Sequence, residues 1–202
     1  MDFRASPNRG GPFAPGELDT LLIHYTAGGD AASAIEWLCD PERQVSAHLV
    51  IGRDGRITQL LPFDVIGWHA GASRWGEREG FNRYSLGIEI DNAGQLEERD
   101  GRCVSWFGRQ YPPAEVVWGV HRHQTRATPW HRFTATQLIR VEEVCGLLVR
   151  EYSLHHILGH DEVAPGRKVD PGPAFPLDEL RARLLHGIVL GRLAPPPPEA
   201  GP

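Results

Sequence analysis

Residues 47–61 read AHLVIGRDGRITQLL. Two alternating apolar runs flank Asp54-Gly55, a dipeptide suited to a tight reversal of the chain, so this stretch predicts a β-hairpin. Working outward, LLIHYTA (Leu21–Ala27), SLGIEI (Ser85–Ile90) and LHHILG (Leu154–Gly159) are short apolar runs of strand length. Helical signals lie between them. Asp30 can cap a helix through AASAIEWL, with Ile35 and Leu38 on one face. Thr134 and Gln137 form a capping-box pattern ahead of Leu138, Val141, Val144, Cys145 and Leu148 at helical spacing. LDELRARLLHGIVL predicts a last amphipathic helix. Strands interspersed with helices indicate an α/β or α+β class, with helices packed on a sheet.

Length and composition set limits on this reading. The chain of 202 residues suits one domain, and 41% apolar with 23% charged residues fits a soluble globular class. The formal net charge of -5 gives no electrostatic case for nucleic acid. No apolar run is long enough to span a membrane. Three cysteines without a CxxC argue against a disulfide framework. With no apolar h-region near the start, the expected location is cytoplasmic, or extracellular or periplasmic if a signal has been removed. Residues 1–18, rich in Pro and Gly, predict an extended arm; 19–193 form the single domain. Within it, 95–132 read as long loops or an excursion from the core. Residues 194–202 read as a polyproline-like, disordered tail. Oligomeric state leaves no mark in the sequence.

Several residues stand out chemically. Most of the ten histidines call only for surface or core roles. His24 differs because it ends an apolar strand that breaks into Tyr-Thr-Ala-Gly-Gly. His160 opens HDEVAPGRKVDPGPAF, which is too rich in Pro and Gly for a regular element and reads as a loop. Asp170 lies within it, before Pro171-Gly172-Pro173, where restricted backbone can hold a carboxylate at fixed separation from a histidine. Two imidazoles and a carboxylate suit Zn²⁺ with a fourth position open. His156 and His160 do not pair on one ion, because four strand residues span about 13 Å. Lys168 is the only lysine among 21 basic residues, and a compact ammonium suits a developing oxyanion. Strand alternation separates Leu86, Ile88 and Ile90 from Gly87, Glu89 and Asp91, so Glu89 faces either solvent or a site, where it could act as a general base. Trp68–Gly71 (WHAG), with Trp75 beyond, puts an aromatic, a histidine and small residues together, as a sugar or peptide groove would need.

Together and in this order, the segments IHYTA, VSAHLVIGRDGRITQLLPFDVIGWHAGAS, SLGIEI and ILGHDEVAPGRKVDPGPAF resemble the zinc-dependent N-acetylmuramoyl-L-alanine amidases. That group includes a peptidoglycan-recycling branch, phage amidase lysozymes and peptidoglycan-recognition proteins. The resemblance covers most of residues 20–190 and is closest to the recycling branch. It implies a central mixed β-sheet flanked by helices, one zinc ion per chain and a peptidoglycan or muropeptide substrate. Position by position, it implies that His24, His160 and Asp170 hold the zinc, that Glu89 activates water and that Lys168 stabilises the tetrahedral intermediate. It also implies that Trp68, His69, Ala70 and His48 lie on the substrate side. Phage relatives carry Tyr-His where this chain has Ala47-His48, so a tyrosine hydroxyl cannot assist here and the duty falls to Glu89. A non-catalytic peptidoglycan-binding module of the same fold is the alternative, but the presence of all three ligand residues and both helpers favours an enzyme. A purely structural zinc site fits poorly, since such sites usually saturate with Cys and His.

Overall fold

The computed structural model describes residues 1–191, so the proline-rich tail at 194–202 lies outside the described residues. Six strands form the central sheet: β1 (Asp2–Phe3), β2 (Thr20–Tyr25), β3 (Leu49–Ile51), β4 (Ile57–Gln59), β5 (Ser85–Ile90) and β6 (His156–Gly159). Their spatial order is β1-β4-β3-β5-β2-β6. Only the β3/β4 pair is antiparallel; the other neighbours run parallel, so the sheet is mixed. That pair is the hairpin expected at 47–61. Its turn spans Gly52–Gly55, closed by the Gly55 amide donating to the Gly52 carbonyl at 2.9 Å. Gly55 has φ of 80°, a conformation glycine adopts without a Cβ penalty.

The parallel strands are buried on both faces, which explains their nearly unbroken apolar sequence. One face carries Leu21 and Ile23 from β2 with Leu86, Ile88 and Ile90 from β5. It is covered by helices α2 (Ala135–Glu151) and α4 (Leu177–Gly191), through Val141, Val144, Cys145, Leu148 and Leu180. The capping box forms as read: Thr134 Oγ1 accepts from the Gln137 amide, and Gln137 Oε1 accepts from the Thr134 amide, both at 3.0 Å. Gln137 is itself buried and donates to the Asp91 carbonyl at 2.8 Å, tying the start of α2 to the end of β5. Helix α1 (Ala31–Cys39) is capped by Asp30, which accepts from the Ser33 amide at 2.7 Å. It packs Leu38 against Val50 and Leu60 on the opposite side of the sheet.

Two expectations need correction. The segment opening at His160 is not wholly loop: residues His160–Val163 form one short helical turn, α3, started by Glu162 accepting from the Gly159 amide at 2.7 Å. The region 95–132 is more regular than loops. It contains a three-stranded meander (Glu97–Arg99, Arg102–Val104, Gln110–Tyr111) and a two-stranded hairpin (Val116–Val120, Ala127–His131). Ala93, Leu96, Tyr111 and Val116 give it a small core of its own. At the N-terminus, Asp2–Phe3 adds an edge strand to β4, and Arg9–Pro12 pairs with Val65–Gly67.

Candidate metal centre

Strands β2 and β6 run parallel with Ile23 opposite Gly159, so their carboxyl ends fall at the same edge. His24 therefore ends one strand beside His160, the first residue past the other. Asp170 joins them because its carbonyl accepts from the Asp161 amide at 2.8 Å, which folds the loop back onto α3. The loop is backed by the hairpin of the excursion. A Cβ on Gly172 would meet the Trp130 ring at 2.4 Å, and one on Gly119 would meet Pro173 at 2.9 Å. No side chain larger than hydrogen fits at either contact.

His24 Nδ1, His160 Nδ1 and Asp170 Oδ2 converge: the two nitrogens are 2.9 Å apart, and each is 3.0 Å from the oxygen. All three residues are buried. The outer nitrogens decide where the protons sit. His160 Nε2 donates to the Ala70 carbonyl at 3.0 Å, the shorter of its two contacts; Arg167 Nη2 lies 3.4 Å away. His69 Nε2 likewise donates to the Ser85 carbonyl at 3.2 Å. Burial, with the charges of His24 and His48, holds His69 well below the usual imidazole range, so the ring is neutral and its Nδ1 is an acceptor. That acceptor lies 3.1 Å from His24 Nε2, which must therefore donate to it. Burial and the neighbouring His160 push His24 down to about 4, so it too is neutral near pH 7. Both Nδ1 atoms then present lone pairs to a carboxylate. Three electron-pair donors facing one another within 3.0 Å call for a cation, and a His₂Asp set suits zinc.

Glu89 lies opposite His24 in the β2/β5 register. Its Oε2 is buried without a hydrogen-bond partner. Burial first, and the Asp170 charge second, push its carboxyl up to about 8, while the positive charge of Lys168 opposes the shift. Lys168 lies two residues before Asp170, in the same loop.

Of the residues expected on the substrate side, His48 and Ala70 are buried, and His69 is half-buried with both nitrogens engaged. His48 is 0% exposed, donates through Nε2 to the Val65 carbonyl and accepts from the Gly87 amide, so both nitrogens are engaged in joining strands. Ala70 is also fully buried, and His69 spends both nitrogens on Ser85 and His24. Trp68 remains half-buried, with its amide donating to Ser46 Oγ at 2.8 Å. Sequence reading passed over Asn82, whose Oδ1 accepts from the His69 and Ala70 amides, and Arg167, which donates to the Ala70 carbonyl. Trp106, in the excursion, is an exposed indole held by its N–H to the Ala27 carbonyl at 2.7 Å, three residues beyond His24.

Residues 14–173 match the N-acetylmuramoyl-L-alanine amidase family. The chain belongs to this family. Among its relatives, the 1,6-anhydro-N-acetylmuramyl-L-alanine amidase AmpD of Escherichia coli K12 is 35% identical over 144 residues, covering 70% of this chain and 58% of AmpD. The N-acetylmuramoyl-L-alanine amidase AmiD of the same strain is 31% identical over 170 residues, covering 81% of this chain and 52% of AmiD. The chain thus spans little more than half the length of these relatives. Among solved structures, E. coli AmiD in complex with the substrate anhydro-N-acetylmuramic acid-L-Ala-D-γ-Glu-L-Lys aligns with a TM-score of 0.64 at 28% identity, over 87% of this chain and 60% of that one. A selenomethionine derivative of AmpD aligns with a TM-score of 0.59 at 26% identity, over 90% and 93%. The chain has the mixed sheet and flanking helices of those folds.

Proposed function

We propose that this protein hydrolyses the amide bond between N-acetylmuramic acid and L-alanine in muropeptides or peptidoglycan, using one zinc ion per chain. The observation that carries the proposal is the convergence of three buried lone-pair donors beside an unpartnered buried carboxylate and an ammonium charge. His24, His160 and Asp170 would hold the ion, which when bound supplies Lewis acidity and makes water acidic enough to lose a proton near neutrality.

The remaining chemistry belongs to side chains of the chain. Glu89 Oε2 has no competing hydrogen bond and is free to take the proton of the attacking water. With no metal ion bound its carboxyl titrates at about 8, so it would be protonated at neutral pH; a positive charge among the three ligands lowers it into the range of a working base. Attack on the lactyl carbonyl generates an oxyanion, which the Lys168 ammonium stabilises. Glu89, now protonated, returns the proton to the departing amine of L-alanine. Trp68 at the surface, together with Trp106 of the excursion, supplies aromatic faces for sugar or peptide next to this edge.

The test compares soluble anhydro-muropeptides with intact sacculi as substrates, with and without chelator. Amine release from muropeptides, abolished by chelator and restored by zinc, is the expected result. Tight binding of muropeptide with zinc present but no amine release would reduce the chain to a binding module.

A further inference from the structure

Both ligand histidines take their outer hydrogen bond from one stretch of four residues, Trp68–Gly71. His24 Nε2 meets the side chain of His69 at 3.1 Å, 45 residues away in sequence. His160 Nε2 meets the carbonyl of Ala70 at 3.0 Å, 90 residues away. We propose that this loop is the orienting layer of the metal centre, with His69 as a positioning residue that sets which nitrogen of His24 is bare. The inference rests on the zinc reading above and adds to it a division of labour that the ligands alone do not reveal.

The argument follows the protons. A carbonyl can only accept, so the Ser85 carbonyl places the proton of His69 on Nε2. His69 Nδ1 is then an obligate acceptor, and among the described residues its donor is His24 Nε2. One backbone carbonyl on β5 thereby dictates, through two imidazoles, that His24 turns a lone pair inward. The two ring planes lie at 82° to each other, with centroids 5.2 Å apart. On the other side the Ala70 carbonyl does the same for His160 directly, while Arg167 donates to that carbonyl at 2.7 Å and holds it in place.

The loop itself is clamped. Asn82 Oδ1 accepts from two successive amides, His69 at 3.0 Å and Ala70 at 2.7 Å. Gly87 leaves the room that His69 occupies: a Cβ there would lie 2.5 Å from the imidazole. A glycine inside a strand otherwise weakens it, so this position is explained by the ring it admits.

The experiment compares wild type, His69→Leu and His69→Asn for zinc affinity by chelator competition. Asn keeps an acceptor oxygen close to the position of Nδ1, whereas Leu keeps only bulk. Loss of the orienting bond should weaken zinc about ten- to a hundredfold in His69→Leu, with most of the affinity recovered in His69→Asn. In zinc-loaded, ¹⁵N-labelled wild type, a scalar coupling across the hydrogen bond should link His24 Nε2 to His69 Nδ1. This second measurement needs no variant to fold. Undiminished zinc affinity in His69→Leu, or no coupling together with a rapidly exchanging His24 proton, overturns the positioning role. Wild type that binds no zinc overturns the metal reading itself, a distinct result.

Discussion

On one face of β2 and β5, Leu21, Ile23, Leu86 and Ile88 are 0% exposed beneath α2 and α4. On the other face of the same two strands, His24 stands opposite Glu89, and Gly87 makes room for His69. The strands are shared and the backbone bonding is the same; only the parity of the residue differs. On the helix face, what matters is volume filled, since dispersion and water exclusion have no direction. On the site face, what matters is where each lone pair and proton points. A residue of the first face is replaceable by one of similar bulk. A residue of the second is replaceable only by one that keeps the same donor or acceptor.

The largest expected effect strikes the site face alone. Asp170→Ala removes one donor of three, so zinc content should fall below one per chain and turnover should vanish, while the helix-face core stays intact. Zinc retained at one per chain, by metal analysis of the purified variant, would show that the ligand set is misread. Next, Glu89→Gln should keep zinc and lower kcat by about 10²- to 10⁴-fold, the range for loss of a general base. Wild-type muropeptide turnover in this variant would remove Glu89 from the mechanism. Third, Ile88→Ala on the helix face should cost about 4 kcal/mol in urea unfolding, because the neighbours are too well packed to close over the cavity. A loss below about 1 kcal/mol there would blur the distinction between the faces.

The smallest effect is the sharpest test of it, because one substitution should act in opposite directions on function and on stability. Glu89 titrates near 4.5 without its environment and at about 8 in the folded protein without metal. The folded state therefore retains a proton that the unfolded state releases. The stability linked to this carboxyl is complete below pH 4.5 and is lost as pH climbs through 8. Metal-free Glu89→Gln should match wild type near pH 4 and exceed it by about 3 kcal/mol at pH 7, since glutamine has no charge to bury. Identical pH dependence of the two unfolding curves would mean that the carboxyl is not desolvated as described.

Much of this was legible in advance, in proportion to how local the signal is. The hairpin at 47–61, the strands around His24 and Glu89, and the Thr134–Gln137 cap each depend on a few adjacent residues, and each formed. The excursion was under-read because its turn signal went unused. Asp100 and Gly101 both adopt positive φ, at 51° and 73°, as a two-residue hairpin turn requires, and Asp-Gly is the dipeptide that favours it. The resemblance implies a place on the substrate side for His48, His69 and Ala70. A match of residue types does not say which way each side chain turns, and His48 and Ala70 turn inward.

The sequence by itself determined the period of the strands, the caps of the helices and the residue types able to bind a cation, because these follow from short-range sterics and bonding within a few residues. Only the tertiary structure decided that the ends of β2 and β6 share an edge, and that one loop meets the outer nitrogens of both His24 and His160. Those outcomes depend on contacts spanning up to 146 residues, where the direction of a lone pair is set by whichever group the fold brings against its far side.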